Sequence, residues 1–380
     1  MCFRIKSIQS SPKYCVCFLF SCERFFILCK EQKIKTFDPN SPGDPDANIY
    51  GLPFTCEEAD TVIVPVPWDV TVSYADGTAN GPEAVFNASF QVDLYEPDLE
   101  DAWKIGIAMD EIPLKLKARA EELRSLAVQY IDALTYGEDV DADPEMQKIL
   151  MTVNEGSAEL NAWVKNRCSH WMKKGKRVGL LGGDHSTPFG MLQAQAELHE
   201  EFGILQIDAH ADLRVAYEGF TYSHASIMYN ALSIPQVKRL VQVGIRDFCQ
   251  QEKEIIDNSK GRVITFFDRD IRHDKYKGVT WHEITKRIIA SLPQKVYISF
   301  DIDGLEPGLC PHTGTPVAGG LEFEQAGYLF TELVKSGKQI IGFDLNEVAP
   351  GPDGDEWDAN VGARMLYRMC NIMTMAANRK

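Results

Sequence analysis

Short apolar runs, rich in Val and Ile, recur along the chain at Thr61–Val66, Val178–Leu181, Ile204–Ile207, Leu240–Val243, Val263–Phe266, Val296–Phe300 and Ile340–Phe343. Each has the length of a strand and is nearly continuous rather than alternating, the pattern of a strand covered on both faces. Between them, helical spacing predicts helices over Leu114–Leu134, Met146–Lys173, Pro188–Glu200, Trp281–Ile289 and Phe323–Lys335. Strand alternating with helix implies parallel strands joined by crossover helices. The predicted fold is therefore α/β, with three layers and a central, mostly parallel sheet. The acidic stretch Glu138–Glu145 reads as a solvated loop between two helices.

The length of 380 residues exceeds that of a usual domain, but open α/β sheets reach it without splitting, so a single domain is expected over residues 36–380. Residues 1–35 stand apart. Arg4, Lys6 and Lys13 precede the apolar run Tyr14–Phe20, and a second run covers Phe25–Cys29. Glu23 and Arg24 interrupt the two, neither could cross a bilayer, and no small-residue cleavage site follows. This stretch is expected to be a disordered leader or the product of a mis-assigned start. Of the 10 cysteines, Cys2, Cys15, Cys17, Cys22 and Cys29 crowd into it while the rest are scattered. That is no disulfide framework, and a cytoplasmic protein is expected. The net charge of -16 excludes a broad nucleic-acid-binding face and a polybasic membrane anchor, and it suits a cationic substrate.

In open parallel sheets, sites form at the carboxyl ends of strands, and the chemistry-bearing residues are found there. Val178–Leu181 runs into Gly182-Gly183-Asp184-His185-Ser186, and Ile204–Ile207 into Asp208-Ala209-His210-Ala211-Asp212. Ile298–Phe300 runs into Asp301-Ile302-Asp303, and Glu347 follows Ile340–Phe343. Buried carboxylates in such number require positive charge, because each costs several kcal/mol to bury unless it is paired or bound to a cation. Side chains alternate along extended backbone, so Asp208 with His210, and Asp301 with Asp303, project the same way. Four Asp and two His exceed what one four-coordinate zinc needs and suit two divalent ions of the manganese or nickel kind.

The three motifs above, with Ser299–Pro307 completing the third, resemble the signatures of the ureohydrolase family of arginases, agmatinases and related amidinohydrolases. The likeness runs over roughly residues 60–370 and includes Thr313-Gly314-Thr315-Pro316 and Gly319-Gly320. It implies an arginase-like fold and hydrolysis of a guanidinium group to release urea. It also implies one ion on His185, Asp208, Asp212 and Asp301 and another on His210, Asp208, Asp301 and Asp303, with Asp208 and Asp301 bridging. Asp212 would aim the attacking water, and Glu347 would bind the guanidinium by a charge-assisted fork. His224, just beyond the second motif, is the expected proton shuttle, since a histidine titrates near neutrality. Members of the family often carry a His-Gly pair there, whereas Ala225 follows here.

The loop Leu213–Phe220 lacks the polar run with which arginases hold an amino-acid head group, which disfavours L-arginine. Its aromatic character, the Cys310-Pro311-His312 segment and the long helical insertion look similar to the guanidine hydrolase branch, often labelled agmatinase-like. Tyr217 and His312 are thus expected to line the pocket with His224 and Glu347, around a compact cation. Free guanidine ranks first as substrate, agmatine second and a guanidino acid third; a homo-trimer or homo-hexamer is implied. Two rivals stand against this reading. One is a single-zinc deacetylase-like enzyme, which would not need all six ligands, and the other is a non-catalytic metal-binding subunit.

Overall fold

A computed structural model of the chain describes residues 26–378. Among them, eight strands form one sheet: β1 (Thr61–Val66), β2 (Ile107–Met109), β3 (Arg177–Gly182), β4 (Phe202–Ile207), β5 (Val237–Val243), β6 (Val263–Phe266), β7 (Lys295–Asp301) and β8 (Gln339–Asn346). The order across the sheet is β2-β1-β3-β8-β7-β4-β5-β6, and every neighbouring pair is parallel. The expected mostly parallel sheet is wholly parallel. Seven of the strands follow the apolar runs closely, with β1 and β6 matching residue for residue and five longer by one to three residues at an end, whereas β2 corresponds to no predicted run.

Alternation along each strand divides the core in two. On β1, Val62, Val64 and Val66 pack on one face with the helices Leu114–Thr135 and Pro144–Lys173, while Ile63 faces the other. On β7, Val296, Ile298 and Phe300 join that second face, where the helices Phe323–Lys335 and Trp357–Asn378 lie, and Tyr297 goes to the first. Burial on both faces is why these strands read as unbroken apolar runs.

Chain order and spatial order differ where it matters. The chain lays down β1, β2 and β3 on one side and β4, β5 and β6 on the other, then returns with β7 and β8 to fill the gap. The four strands with chemically loaded carboxyl ends, β3, β8, β7 and β4, are therefore adjacent at the centre of the sheet. This is the point at which the winding reverses, where a crevice opens in folds of this kind.

Several elements depart from the sequence reading. Residues 26–36, mostly assigned to the leader, are helical. Lys30 there pairs with Asp60 at 2.7 Å and Lys33 with Glu58 at 2.6 Å, which ties the segment to the start of β1. The expectations for residues 1–25 lie outside the described residues. Among the described residues no helix is long and apolar enough to cross a membrane.

Candidate metal centre and adjoining cavity

The loop after β3 turns sharply at Gly182-Gly183 because other groups press against it. A Cβ on Gly183 would strike the Trp68 carbonyl, and one on Gly182 would strike Asn346 and Thr187. The turn carries His185 inward, only 1% exposed. From the next loops, Asp208, Asp301 and Asp303 arrive with 3% exposure or less. His185 Nδ1 lies 3.0 Å from an oxygen of Asp208, 3.0 Å from one of Asp212 and 3.3 Å from one of Asp301. His210 Nδ1 lies 2.9 Å from Asp303 Oδ2 and 3.7 Å from Asp208 Oδ1.

Two groups of potential ligand atoms result, each within 4.8 Å of one another: His185, Asp208 and Asp301, and Asp208, His210 and Asp303. Asp208 belongs to both, presenting one oxygen to each imidazole. Its carboxylate is fixed by the backbone N–H of His210 at 2.6 Å and by Gln206 Nε2 at 2.8 Å. Asp303 accepts from the Ala209 N–H and Asp301 from the Asp303 N–H, so the aspartates order one another's loops.

The electrostatics of this cluster are those of a cation site. Burial alone would lower the His185 pKa, yet Asp208, Asp212 and Asp301 hold it well above the ordinary histidine value. Burial likewise opposes charge on His210, but Asp303 and Asp208 raise it to about 12. Burial and the charge of Asp208 raise Asp212 to about 7, and burial with the charges of Asp303 and Asp208 drives Asp301 well above the carboxylate range. These groups crowd too much negative charge together to ionise without protons or cations among them. His185 Nδ1 and Asp303 Oδ2 are buried without a hydrogen-bond partner. Orphaned ligand atoms, mixed imidazole and carboxylate donors and a shared aspartate fit two divalent ions.

Behind the ligands lies a layer that sequence inspection missed. His185 Nε2 meets Ser299 Oγ at 2.9 Å, and that hydroxyl donates to Asp344 Oδ1 at 2.9 Å. This fixes the imidazole's orientation and leaves Nδ1 to face the aspartates. On the other side, half-buried Thr265 donates to Gln242, Gln242 to Gln206 and Gln206 to Asp208, in a chain crossing three strands.

Two site residues sit at positive φ without being glycine: Asp212 at 55° and Glu347 at 64°. Such backbone strain persists where surrounding structure over-determines it. The Asp212 carbonyl accepts from the N–H groups of Met228 and Tyr229, and Glu347 Oε1 accepts from the His185 N–H at 2.9 Å. Glu347 Oε2 is buried and unpartnered, with Gly314 beside it. Burial and the charge of Asp184 raise the Glu347 pKa well above the usual range.

A cavity of about 160 Å³ opens beside the cluster, lined by His210, Asp212, Arg214, Tyr217, His224 and Thr315 among others. The structure thus brings Tyr217 and His224 beside His210 and Asp212, their rings edge to face at 6.3 Å. Burial and the neighbouring His210 and His185 lower the His224 pKa to about 4, so its ring is neutral at pH 7. His312, like Glu347, does not line this cavity. Its Nδ1 lies 2.7 Å from Asp358, whose other oxygen accepts from the His312 N–H at 3.0 Å, and its ring adjoins Gly351. A carboxylate at the start of the last helix, unremarked in the sequence, holds it there.

Comparison with known proteins agrees with this geometry. The model of the Arginase family matches residues 59–371. An N(1)-aminopropylagmatine ureohydrolase of Thermus thermophilus is 30% identical over 84% of this chain and 92% of its own length. An agmatinase of Bacillus subtilis is 27% identical, over 82% and 91% respectively. Among solved structures, the agmatine ureohydrolase of Thermoplasma volcanium superposes with a TM-score of 0.64 at 23% identity, covering 92% of this chain and 99% of that one. The proclavaminate amidino hydrolase of Streptomyces clavuligerus gives 0.61 at 21%, covering 89% and 96%. At that identity the structural likeness speaks for the fold.

Proposed function

This chain belongs to the arginase family and is a ureohydrolase, and from that premise we propose that it hydrolyses a small guanidinium compound, free guanidine first, at a pair of manganese or nickel ions. The observation that carries the reading is Asp208, shared between two imidazole-carboxylate groups, one of which reaches through His210 a cavity that Asp212 and His224 also line. His185, Asp208, Asp212 and Asp301 would hold one ion and His210, Asp208, Asp301 and Asp303 the other. Bound there, the ions would activate water for attack on the resonance-stabilised guanidinium carbon and steady the charge that develops.

The chain's own residues do the rest. Asp212, held at its strained backbone position, accepts a hydrogen bond from the attacking water and so aims it. Glu347, with one oxygen fixed on the His185 N–H and the other unpartnered, accepts from the guanidinium N–H groups. His224 accepts on one ring nitrogen the proton that the attacking water gives up and passes the proton of its other ring nitrogen to the departing amine. Tyr217 offers an aromatic wall to a planar cation.

The cavity supports a compact substrate. Its volume of about 160 Å³ is near half of the roughly 300 Å³ at the low end for drug-sized ligands. The names of the relatives favour a second reading, in which agmatine or a longer amine-bearing guanidine is hydrolysed. The test is urea release from guanidine, agmatine, a guanidino acid and L-arginine after separate loading with Mn²⁺ and Ni²⁺. Guanidine is expected to give the highest kcat/KM. Absence of urea from every compound, with metal bound, would contradict the hydrolase reading and favour a non-catalytic metal-binding role.

A further inference from the structure

Arg214 follows Asp212 by two residues and lines the same cavity. Its backbone N–H donates to the Ala225 carbonyl at 3.0 Å, which ties it to the segment bearing His224. Its guanidinium lies 4.8 Å from the centre of the Tyr217 ring, and its Nε is 3.8 Å from Glu252 Oε2, beyond hydrogen-bonding distance. Glu252 is buried and already accepts from the N–H groups of Leu213 at 3.0 Å and Cys249 at 2.8 Å. No described residue accepts a hydrogen bond from the Arg214 guanidinium. The guanidinium, stacked on Tyr217 and without a hydrogen-bond acceptor, lines the cavity together with its ion-pair partner Glu252, which is 3.8 Å away.

We infer that Arg214 is a specificity-determining residue that turns away guanidinium compounds carrying a cationic tail. The inference rests on the reading of the site as a guanidinium hydrolase and refines its substrate class. A guanidinium seated against Asp212 and His224 sends any tail along the cavity that Arg214 and Tyr217 line. An ammonium on that tail, as in agmatine, meets like charge; a compound without a tail does not, and a carboxylate-tailed one meets opposite charge. Asp247 and Glu252 also line the cavity; Asp247 is 68% exposed and screened by water and salt, and Glu252 is buried beside Arg214, so replacing Arg214 leaves its charge uncompensated. Two unit charges about 6 Å apart in surroundings between bulk water and protein surface repel by enough to change binding roughly threefold to a hundredfold.

The test compares kcat/KM for guanidine, agmatine and 4-guanidinobutyrate in the metal-loaded full chain, its Arg214→Gln variant and its Arg214→Lys variant. Arg214→Gln is expected to raise the agmatine-to-guanidine ratio about tenfold, mainly through KM for agmatine, and to lower the ratio for 4-guanidinobutyrate. Arg214→Lys, which keeps the charge, should stay near the parental ratios. Should Arg214→Gln not fold, Arg214→Met, which keeps an apolar stem over Tyr217, gives the same comparison. Unmoved ratios in the uncharged variants, with the parent releasing urea, overturn the inference alone. No urea from the parent with any compound overturns the hydrolase reading and this inference with it.

Discussion

Two clusters of buried carboxylate can be compared within this molecule. At the edge of the sheet, Asp110 is 6% exposed and receives Arg167 through both oxygens, at 2.5 and 2.6 Å, with Trp171 Nε1 at 2.8 Å. Every oxygen has a donor, and the guanidinium stacks 5.3 Å over the indole. At the centre, Asp208, Asp212, Asp301 and Asp303 share two imidazoles and leave buried atoms orphaned. The first cluster is complete within the chain; the second is complete only with cations added. The larger cavity, about 880 Å³, lies against the first. Unsatisfied charge, not the size of a hollow, marks the reactive end of this molecule.

The largest expected effect follows from emptying the centre. Asp303→Ala should lower kcat/KM on the order of 10³-fold, since losing one ion forfeits several kcal/mol of transition-state stabilisation. The metal-free protein should lose only modest stability, because relief of carboxylate repulsion offsets the lost contacts with the Ala209 N–H and His210; urea assays and thermal melts check the pair of outcomes. Asp110→Ala should do the reverse. Breaking a buried ion pair costs about 3 to 5 kcal/mol, and the 37% exposure of the Arg167 side chain reduces this to about 2 to 3 kcal/mol, read by denaturant unfolding. Metal content of the folded fraction should be unchanged. If Asp110→Ala also emptied the metal site, the two clusters would not be independent.

Smaller effects sharpen the contrast. Ser299→Ala removes the hydroxyl between His185 and Asp344 and should weaken metal binding by about 10- to 100-fold, measured by competition with a chelating dye. The pH dependence of the metal-free chain carries a sign. Asp212 titrates at about 7 folded against an ordinary value near 3.8, so the folded state holds the extra proton between them, and stability falls as pH rises through that window. His185 and His210 act in the same direction, since the stability given by their raised pKa values is present below about 6.5 and lost as pH rises through the folded values. Melts of metal-free protein should show a lower Tm at pH 8 than at pH 5, with a larger gain from added Mn²⁺ at pH 8. A metal-free Tm that climbs between those values would count against a carboxylate-crowded centre.

The sheet was legible because strands buried on both faces write themselves as apolar runs, and the cluster of aspartates and histidines because paired residues at i and i+2 stand at strand ends. What escaped has physical reasons. The strand Ile107–Met109 is three residues long, too short for any period to show. The helix Trp357–Asn378 is buried on nearly every side, so it lacks the polar face that marks a surface helix. Helices Gln250–Asn258 and Asp268–Tyr276 are short and predominantly polar. Ser299 and Asp344 support His185 only because β8 inserts between β3 and β7, an order that linear sequence does not display. His312 was misplaced for a similar reason, since its partner Asp358 is 46 residues away.

The central claim is that six imidazole and carboxylate side chains form a site for two ions sharing Asp208. Metal-free protein dialysed to equilibrium against Mn²⁺ or Ni²⁺, followed by elemental analysis, tests it most directly. Two ions per chain are expected in the parent protein, falling in Asp208→Ala; saturation at a single ion per chain, unaffected by that substitution, would contradict the account.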